Sequence, residues 1–358
     1  MLKKITLLAL SAVMALSAVG CSSTETTTTE TTTSTASTST TTTETVAEEI
    51  SYKGAFTLYT SQPETDAQAL IEAFNAIYPD VTVNVFRSGT EEVISKLMAE
   101  VQVNSVQADV LLVSDASTFE GLKSEGLLMS YASPELDGID PSYYDADNTY
   151  TGTKIIATGI MVNTDLVDLD ATPITALADL TDPSFAGEVI MPSPLYSGAA
   201  AYNLGVLLRT EGFGWDYFSD LKDNGVVVGT GNGSVQTAVL NGEQSVGLIV
   251  EYMALREIEA GAPLAFIYPE EGALNVTEPI AIVEGSQNVE LAQLFVDFIL
   301  SEEGQKTTAE IGYTPIRNGV DAPEGFKSAD ELFNLTYDME TLVATKEADK
   351  EEFSVLFG

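Results

Sequence analysis

Histidine is absent from the 358 residues, and cysteine occurs once, at Cys21. These two lacks exclude the Ser/His and Cys/His nucleophile arrangements and the usual zinc sites. One cysteine also leaves no disulfide within the chain. Bases are scarce: 15 Lys and Arg stand against 54 Asp and Glu, a net charge of −39. Such a surface repels nucleic acid and anionic headgroups, so neither is expected as a partner. It does not forbid an anionic ligand, because a pocket can be locally positive inside a negative protein. No apolar run beyond the first 21 residues approaches the roughly 18 that a membrane span needs. Carboxylate pairs and oxygen ligation are the familiar chemistries left, and neither a cofactor nor a metal is expected.

What is present begins with an address. Lys3 and Lys4 form a positive start, and residues 5–19 are an apolar stretch ending in small residues, the pattern of a signal peptide. The run Ser17-Ala18-Val19-Gly20-Cys21 resembles a bacterial lipobox, with Ala18 where that pattern prefers Leu. Residues 1–21 are therefore expected to be a lipoprotein signal peptide, with Cys21 lipidated. Residues 22–49, mostly Thr with Ser and Glu, have no apolar periodicity and cannot offset the entropy of ordering. They are expected to be a disordered tether with a reach near 30 Å. The protein is then expected at the extracellular face of the cell membrane, touching the bilayer only through its anchor.

From Tyr52 the pattern alternates. Residues 55–59, 81–86, 110–113, 155–162, 246–250, 264–268 and 280–283 read as strands. Residues 66–78, 90–103, 119–122, 197–209, 234–240, 252–260, 289–300 and 330–343 read as helical. Pro79 ends the first helix, and Val93, Ile94, Leu97, Met98 and Val101 line one face of the second. Strands separated by helices of this length imply βαβ units and a parallel sheet. Ligand sites of open parallel sheets lie at the carboxyl ends of strands, so the loops after each strand are the informative positions.

Seven stretches occur in order: Leu58-Tyr59-Thr60-Ser61-Gln62-Pro63, Phe86-Arg87-Ser88-Gly89-Thr90, Ala108-Asp109-Val110-Leu111-Leu112, Met191-Pro192-Ser193-Pro194-Leu195-Tyr196-Ser197-Gly198, Tyr268-Pro269-Glu270-Glu271-Gly272, Phe298-Ile299-Leu300-Ser301-Glu302-Glu303-Gly304-Gln305 and Tyr313-Thr314-Pro315-Ile316-Arg317. Together they resemble the extracellular binding proteins of ABC importers, in the branch that takes ferric iron, sugar phosphates or 2-aminoethylphosphonate. The resemblance implies an α/β, two-lobed, periplasmic-binding-protein-like fold of type II with two hinge crossovers. It places lobe one at 52–158 plus 281–358 and lobe two at 159–280, with crossings near 160–163 and 278–283. It also implies a monomer that closes around a small anionic solute and delivers it to the membrane subunits of an ABC permease, without catalysis.

Iron-binding members use a tyrosine pair after the strand matched by 246–250. This chain reads Glu251-Tyr252-Met253 there, so at most one of that pair is kept. A phosphorylated solute fits better. Ser61, Ser88, Thr90, Ser197, Asn232 and Ser234 offer neutral hydrogen bonds, though the same residues favour helix N-caps. Gln62 and Asp115 fall in equivalent loops. Gly89, Gly198 and Ala199 leave helix amides uncovered, so Arg87-Ser88-Gly89-Thr90 and Ser197-Gly198-Ala199-Ala200 read as a two-lobed anion clamp. Arg87 can offset phosphate charge or pair with Glu91 or Glu92. Glu251 can meet ligand hydroxyls or an amine, or simply sit at a helix start. Tyr196, Tyr252 and Tyr313 can wall the site or pack in the core. Ferric iron stands as one alternative. Another is an extracellular glycoside hydrolase using Glu270-Glu271 or Glu91-Glu92, and a third is a tethered adhesin without a small ligand.

Overall fold

The computed structural model describes residues 51–358 apart from Phe333, so the expected signal peptide, Cys21 and the tether lie outside the described residues. The first half carries strands β1 (Gly54–Thr60), β2 (Val81–Arg87), β3 (Val110–Leu112), β4 (Leu128–Met129) and β5 (Thr151–Asn163), with helices α1 (Glu64–Ile77), α2 (Thr90–Gln102) and α3 (Ala116–Ser124). Next come β6 (Val189–Pro192), α4 (Gly198–Leu207), α5 (Trp215–Asp223), β7 (Val227–Gly229), α6 (Asn232–Leu240), β8 (Val246–Val250), α7 (Glu251–Glu259) and β9 (Leu264–Ile267). The chain finishes with β10 (Ala273–Val283), α8 (Val289–Leu300), α9 (Glu302–Glu310), β11 (Thr314–Pro315), β12 (Asn334–Leu335) and α10 (Met339–Phe357).

One sheet runs through both lobes in the order β2-β1-β3-β10-β5-β8-β6-β7. β1 pairs parallel with β2 and β3 in lobe one, and β6 pairs parallel with β7 and β8 in lobe two. The two central strands run antiparallel to their neighbours β3 and β8 and to each other. The sheet is therefore mixed and not parallel throughout. A chain that leaves one lobe and later returns needs strands of opposite direction between them. β5 shows this directly: Thr151 to Thr158 pair with β10, and Thr158 to Val162 pair with β8.

Alternation along the lobe-one strands builds two cores. Phe56 and Leu58 of β1 and Val110 and Leu112 of β3 face α1 and α8, packing on Leu70, Phe74 and Phe295. Tyr59, Leu111 and Val113 point to the other face, against Val93 and Leu97 of α2 and Phe119 of α3. Lobe two has its own core around β6, β8, α4, α6 and α7. Period-two strands between helices are what such a sandwich requires.

The C-terminal helix departs from expectation twice. It covers Met339–Phe357 and not 330–343, because Asp338 caps it by accepting from the Thr341 amide at 2.9 Å. The preceding Asn334 and Leu335 pair with β10 as β12. Its Leu342 and Phe353 also pack into the lobe-two core, although it follows the lobe-one segment. Among the described residues no helix is long and apolar enough to cross a membrane.

Candidate functional site

Between the lobes lies a cavity of about 310 Å³. Its wall is made where strands hand over to helices. Ser61, Gln62 and Pro63 follow β1, Arg87 ends β2 with Gly89 and Thr90 after it, and Ser114 follows β3. Tyr196, Ser197, Gly198 and Ala199 follow β6. Gly231, Asn232 and Ser234 follow β7, and Val250 ends β8 with Tyr252 after it. Five helices, α1, α2, α4, α6 and α7, thus begin at this cavity. The first amides of a helix have no intrahelical acceptor, and each start carries roughly half a positive charge. α4 and α6 have no acid in the first turn to oppose that field.

At the cleft two glycines, Gly89 and Gly198, let the lobes approach closely. The Glu91 amide donates to the Tyr196 carbonyl across the cleft at 3.4 Å. A Cβ on Gly89 would lie 2.6 Å from that same carbonyl oxygen. A Cβ on Gly198 would lie 2.6 Å from the Ser114 carbonyl oxygen and 2.8 Å from Thr90 Oγ1. The described conformation is therefore a closed one.

Of the residues singled out from the sequence, Ser61, Gln62, Arg87, Gly89, Thr90, Tyr196, Ser197, Gly198, Ala199, Asn232, Ser234 and Tyr252 line this cavity. Several already have partners. Asn232 Nδ2 donates to Ser197 Oγ at 3.3 Å, and its Oδ1 accepts from the Val250 amide at 3.3 Å, so it joins the starts of α4, α6 and α7. Ser234 turns its hydroxyl back to the Gly231 carbonyl at 2.7 Å. Ser197 accepts from the Ala200 amide at 3.3 Å. The cap reading and the site reading hold together at these positions. Arg87 uses Nε on the Gln62 carbonyl at 2.8 Å and is exposed, rather than pairing with Glu91 or Glu92.

Three expected residues lie off the cavity wall. Ser88 bonds the Glu92 carboxylate one helical turn on. Asp115 is buried as the cap of α3, accepting from the Thr118 amide at 3.0 Å. Glu251 points into the hinge, accepting from Tyr268 Oη at 2.6 Å and the Ala157 amide at 3.2 Å. Burial pushes the Glu251 carboxyl up to about 7, which the Tyr268 bond partly opposes. The suggested paired acids do not face one another across a cleft. Glu271 accepts from the amides of Leu177 and Ala178 at 3.0 and 3.1 Å, and Glu91 is held by lysines of α10.

Two polar assemblies were not foreseen. Lys154 and Glu278, both almost fully buried, form an ion pair at the cavity, where Glu278 also accepts from Gln62 Nε2 at 2.9 Å. Each is the one charged residue of its strand, β5 or β10, and that isolation was the available signal. The second assembly joins the lobes: Arg256 of α7 binds Asp66 of α1 through both terminal nitrogens at about 3.0 Å. Tyr313 Oη donates to Asp66 at 2.6 Å, and the guanidinium covers the rings of Tyr252 and Tyr313 at 4.7 and 5.0 Å. Those rings pack against each other with centroids 4.4 Å apart and planes tilted by 46°, and both line the cavity, so a second tyrosine does reach Tyr252, from a distant segment. Burial above all holds both phenols protonated well above their ordinary range.

Residues 69–334 match a family model described as bacterial extracellular solute-binding protein. The structure of the periplasmic binding protein AfuA from Actinobacillus pleuropneumoniae, with exogenous fructose-6-phosphate bound, superposes with a TM-score of 0.77 at 27% identity, covering 85% of this chain and 98% of that one. Iron-bound HitA from Pseudomonas aeruginosa gives 0.74 at 25% identity, covering 83% and 98%. A putative 2-aminoethylphosphonate-binding periplasmic protein of Salmonella typhimurium is 25% identical over 262 residues, 70% of this chain and 74% of its own.

Proposed function

We infer the ligand from a premise: this chain belongs to the bacterial extracellular solute-binding proteins, which bind small solutes for ABC permeases and are not enzymes. The solute is a phosphorylated one, a sugar phosphate or a phosphonate, held by hinge closure. The observation that carries this reading is the convergence of five helix starts on one cavity, with Arg87 in its wall. Fixed partial positive charges and free amides suit an anion and need no reorganisation on binding. Charge-assisted hydrogen bonds contribute about 1.5–3 kcal/mol each, so three or four support micromolar binding after the costs of closure.

The other end of the ligand is uncharged. Glu278 is the carboxylate in the wall, and Lys154 already compensates it. An ammonium would find no unpaired anion there, whereas hydroxyls find polar groups. That favours a sugar phosphate over 2-aminoethylphosphonate. Ferric iron is disfavoured by the same wall: Tyr313 is committed to Asp66, and a guanidinium covers both phenols.

Calorimetry with glucose 6-phosphate, 2-aminoethylphosphonate and Fe(III) tests this. Glucose 6-phosphate is expected to bind at micromolar level or better, with 2-aminoethylphosphonate weaker. If neither binds more tightly than about 1 mM, the anion reading is wrong. A visible phenolate-to-iron band lost in Tyr252→Phe would turn the assignment to iron. The protein works tethered outside the cell through lipidated Cys21, as a monomer. Cys21→Ala is expected to free it into the medium or leave it uncleaved, and membrane retention of a processed Cys21→Ala chain would refute the anchor.

A further inference from the structure

α2 is the lobe-one helix of the anion site, and it carries an internal contradiction. Its first turn holds Glu91 and Glu92 directly behind Gly89 and Thr90. A carboxylate at a helix start stabilises the helix but opposes a second anion at the same end. Glu92 is exposed at the rim and takes the Ser88 hydroxyl. Glu91 is different, because its side chain is only 12% exposed and it lies against α10. There Lys350 Nζ reaches one carboxylate oxygen at 2.5 Å and Lys346 Nζ the other at 3.2 Å. Lys346 also meets Thr118 Oγ1 at 2.6 Å and Asp115, the buried cap of α3, at 3.3 Å.

These lysines belong to a helix mounted on the opposite lobe. Leu342 and Phe353 of α10 are in the lobe-two core, and Asp349 binds Arg209 at the end of α4 at 2.8 Å. The ion pairs therefore cross from lobe two to lobe one. Two of only 15 Lys and Arg in a chain of net charge −39 are spent at this one place. Burial alone would lower the Lys346 pKa, yet Asp115 and Glu91 hold it above the ordinary lysine value, so the cation persists in the closed form.

We propose that α10 is a strap that tunes the anion site: Lys346 and Lys350 cancel Glu91 and Asp115 behind the lobe-one helix start and tie that helix to lobe two. They are positioning residues and touch no ligand. The proposal rests on the phosphorylated-solute reading, and it adds that the C-terminal helix sets both the field at the site and the balance between open and closed states. Opening the lobes breaks these pairs, so strap and ligand favour the same state.

The test is calorimetry of glucose 6-phosphate binding to Lys350→Met, to Lys346→Met/Lys350→Met, and to each in a Glu91→Gln background. Lys350→Met alone leaves the buried Asp115 its partner, so it keeps the test valid if the double variant folds poorly. The expected result is at least a tenfold loss of affinity for Lys350→Met and a larger loss for the double variant. With Glu91→Gln the Lys350→Met effect should shrink below threefold, a rescue that lost packing would not produce. Lysine variants within twofold of the parent would overturn the strap, as would equal losses with and without Glu91. An unmodified chain that binds no phosphorylated probe would sink the phosphorylated-solute reading itself, a result readable before any lysine is changed.

Discussion

Gly198→Val is expected to abolish tight ligand binding while leaving the fold intact. Gly198 opens α4 on lobe two, and the atoms that a new Cβ would strike, the Ser114 carbonyl oxygen at 2.6 Å and Thr90 Oγ1 at 2.8 Å, both belong to lobe one. One of them is backbone and cannot rotate away. The clash exists only when the lobes are shut, so opening relieves it and the ligand-free chain pays nothing in stability. Gly89→Val repeats the experiment from the other side, against the Tyr196 carbonyl oxygen at 2.6 Å. A closed state destabilised by about 2.8 kcal/mol lowers affinity about 100-fold. Calorimetry with glucose 6-phosphate reads the affinity, and a thermal melt with and without it reads closure, since stabilisation by ligand depends on binding. The ligand-free midpoint should move by no more than about 1.5 °C, which for a chain of this size corresponds to about 1 kcal/mol. Affinities within threefold of the parent for both variants would mean that the lobes close differently.

The same glycines show how far the sequence could be read. Strand-to-helix handovers at Arg87-Ser88-Gly89-Thr90 and Tyr196-Ser197-Gly198 are local patterns, with a small residue, a cap and then an apolar helical period. Local patterns survive in one dimension, and both segments line the cavity. That Gly89 and Gly198 are places where the lobes meet is a fact about residues more than 80 positions apart, with no local mark. Lys154 and Glu278 pair across 124 positions, and Arg256 and Asp66 across 190, so neither pairing had a spacing to betray it. α8 showed clearly because its apolar face is strong, with Leu291, Phe295 and Phe298 buried on one side. α10 did not, because few of its residues are buried and its charged positions, which look solvated in the sequence, make the contacts. Ser88 and Asp115 share the loop position of the site residues, but Ser88 is taken by Glu92 four residues on, and Asp115 by the Thr118 amide three residues on and by the distant Lys346.

Lys154→Met is expected to be among the most destabilising single changes in the chain. Both members of the Lys154–Glu278 pair are almost fully buried, at 2% and 4% exposure of their side chains. Removing the cation leaves a buried carboxylate whose other donors, Gln62 Nε2 at 2.9 Å and Ser61 Oγ at 3.4 Å, are neutral. Breaking a buried pair from one side costs about 3–5 kcal/mol, while replacing both members by neutral groups costs much less. The Lys154 ammonium also lies 4.7 Å from the centre of the Tyr313 ring, a smaller loss in the same direction. Urea unfolding should show Lys154→Met/Glu278→Gln to be more stable than Lys154→Met alone, by about 2 kcal/mol or more. A single-variant cost below about 1 kcal/mol would mean that the pair is solvated and not buried. The binding consequence has its own sign. With Lys154 gone, Glu278 becomes a bare anion in the wall that holds the uncharged end of the ligand. The ratio of 2-aminoethylphosphonate to glucose 6-phosphate affinity should then rise, because an ammonium gains the partner that the lysine had taken. An unchanged ratio in a folded Lys154→Met protein would show that Glu278 does not read that end of the ligand.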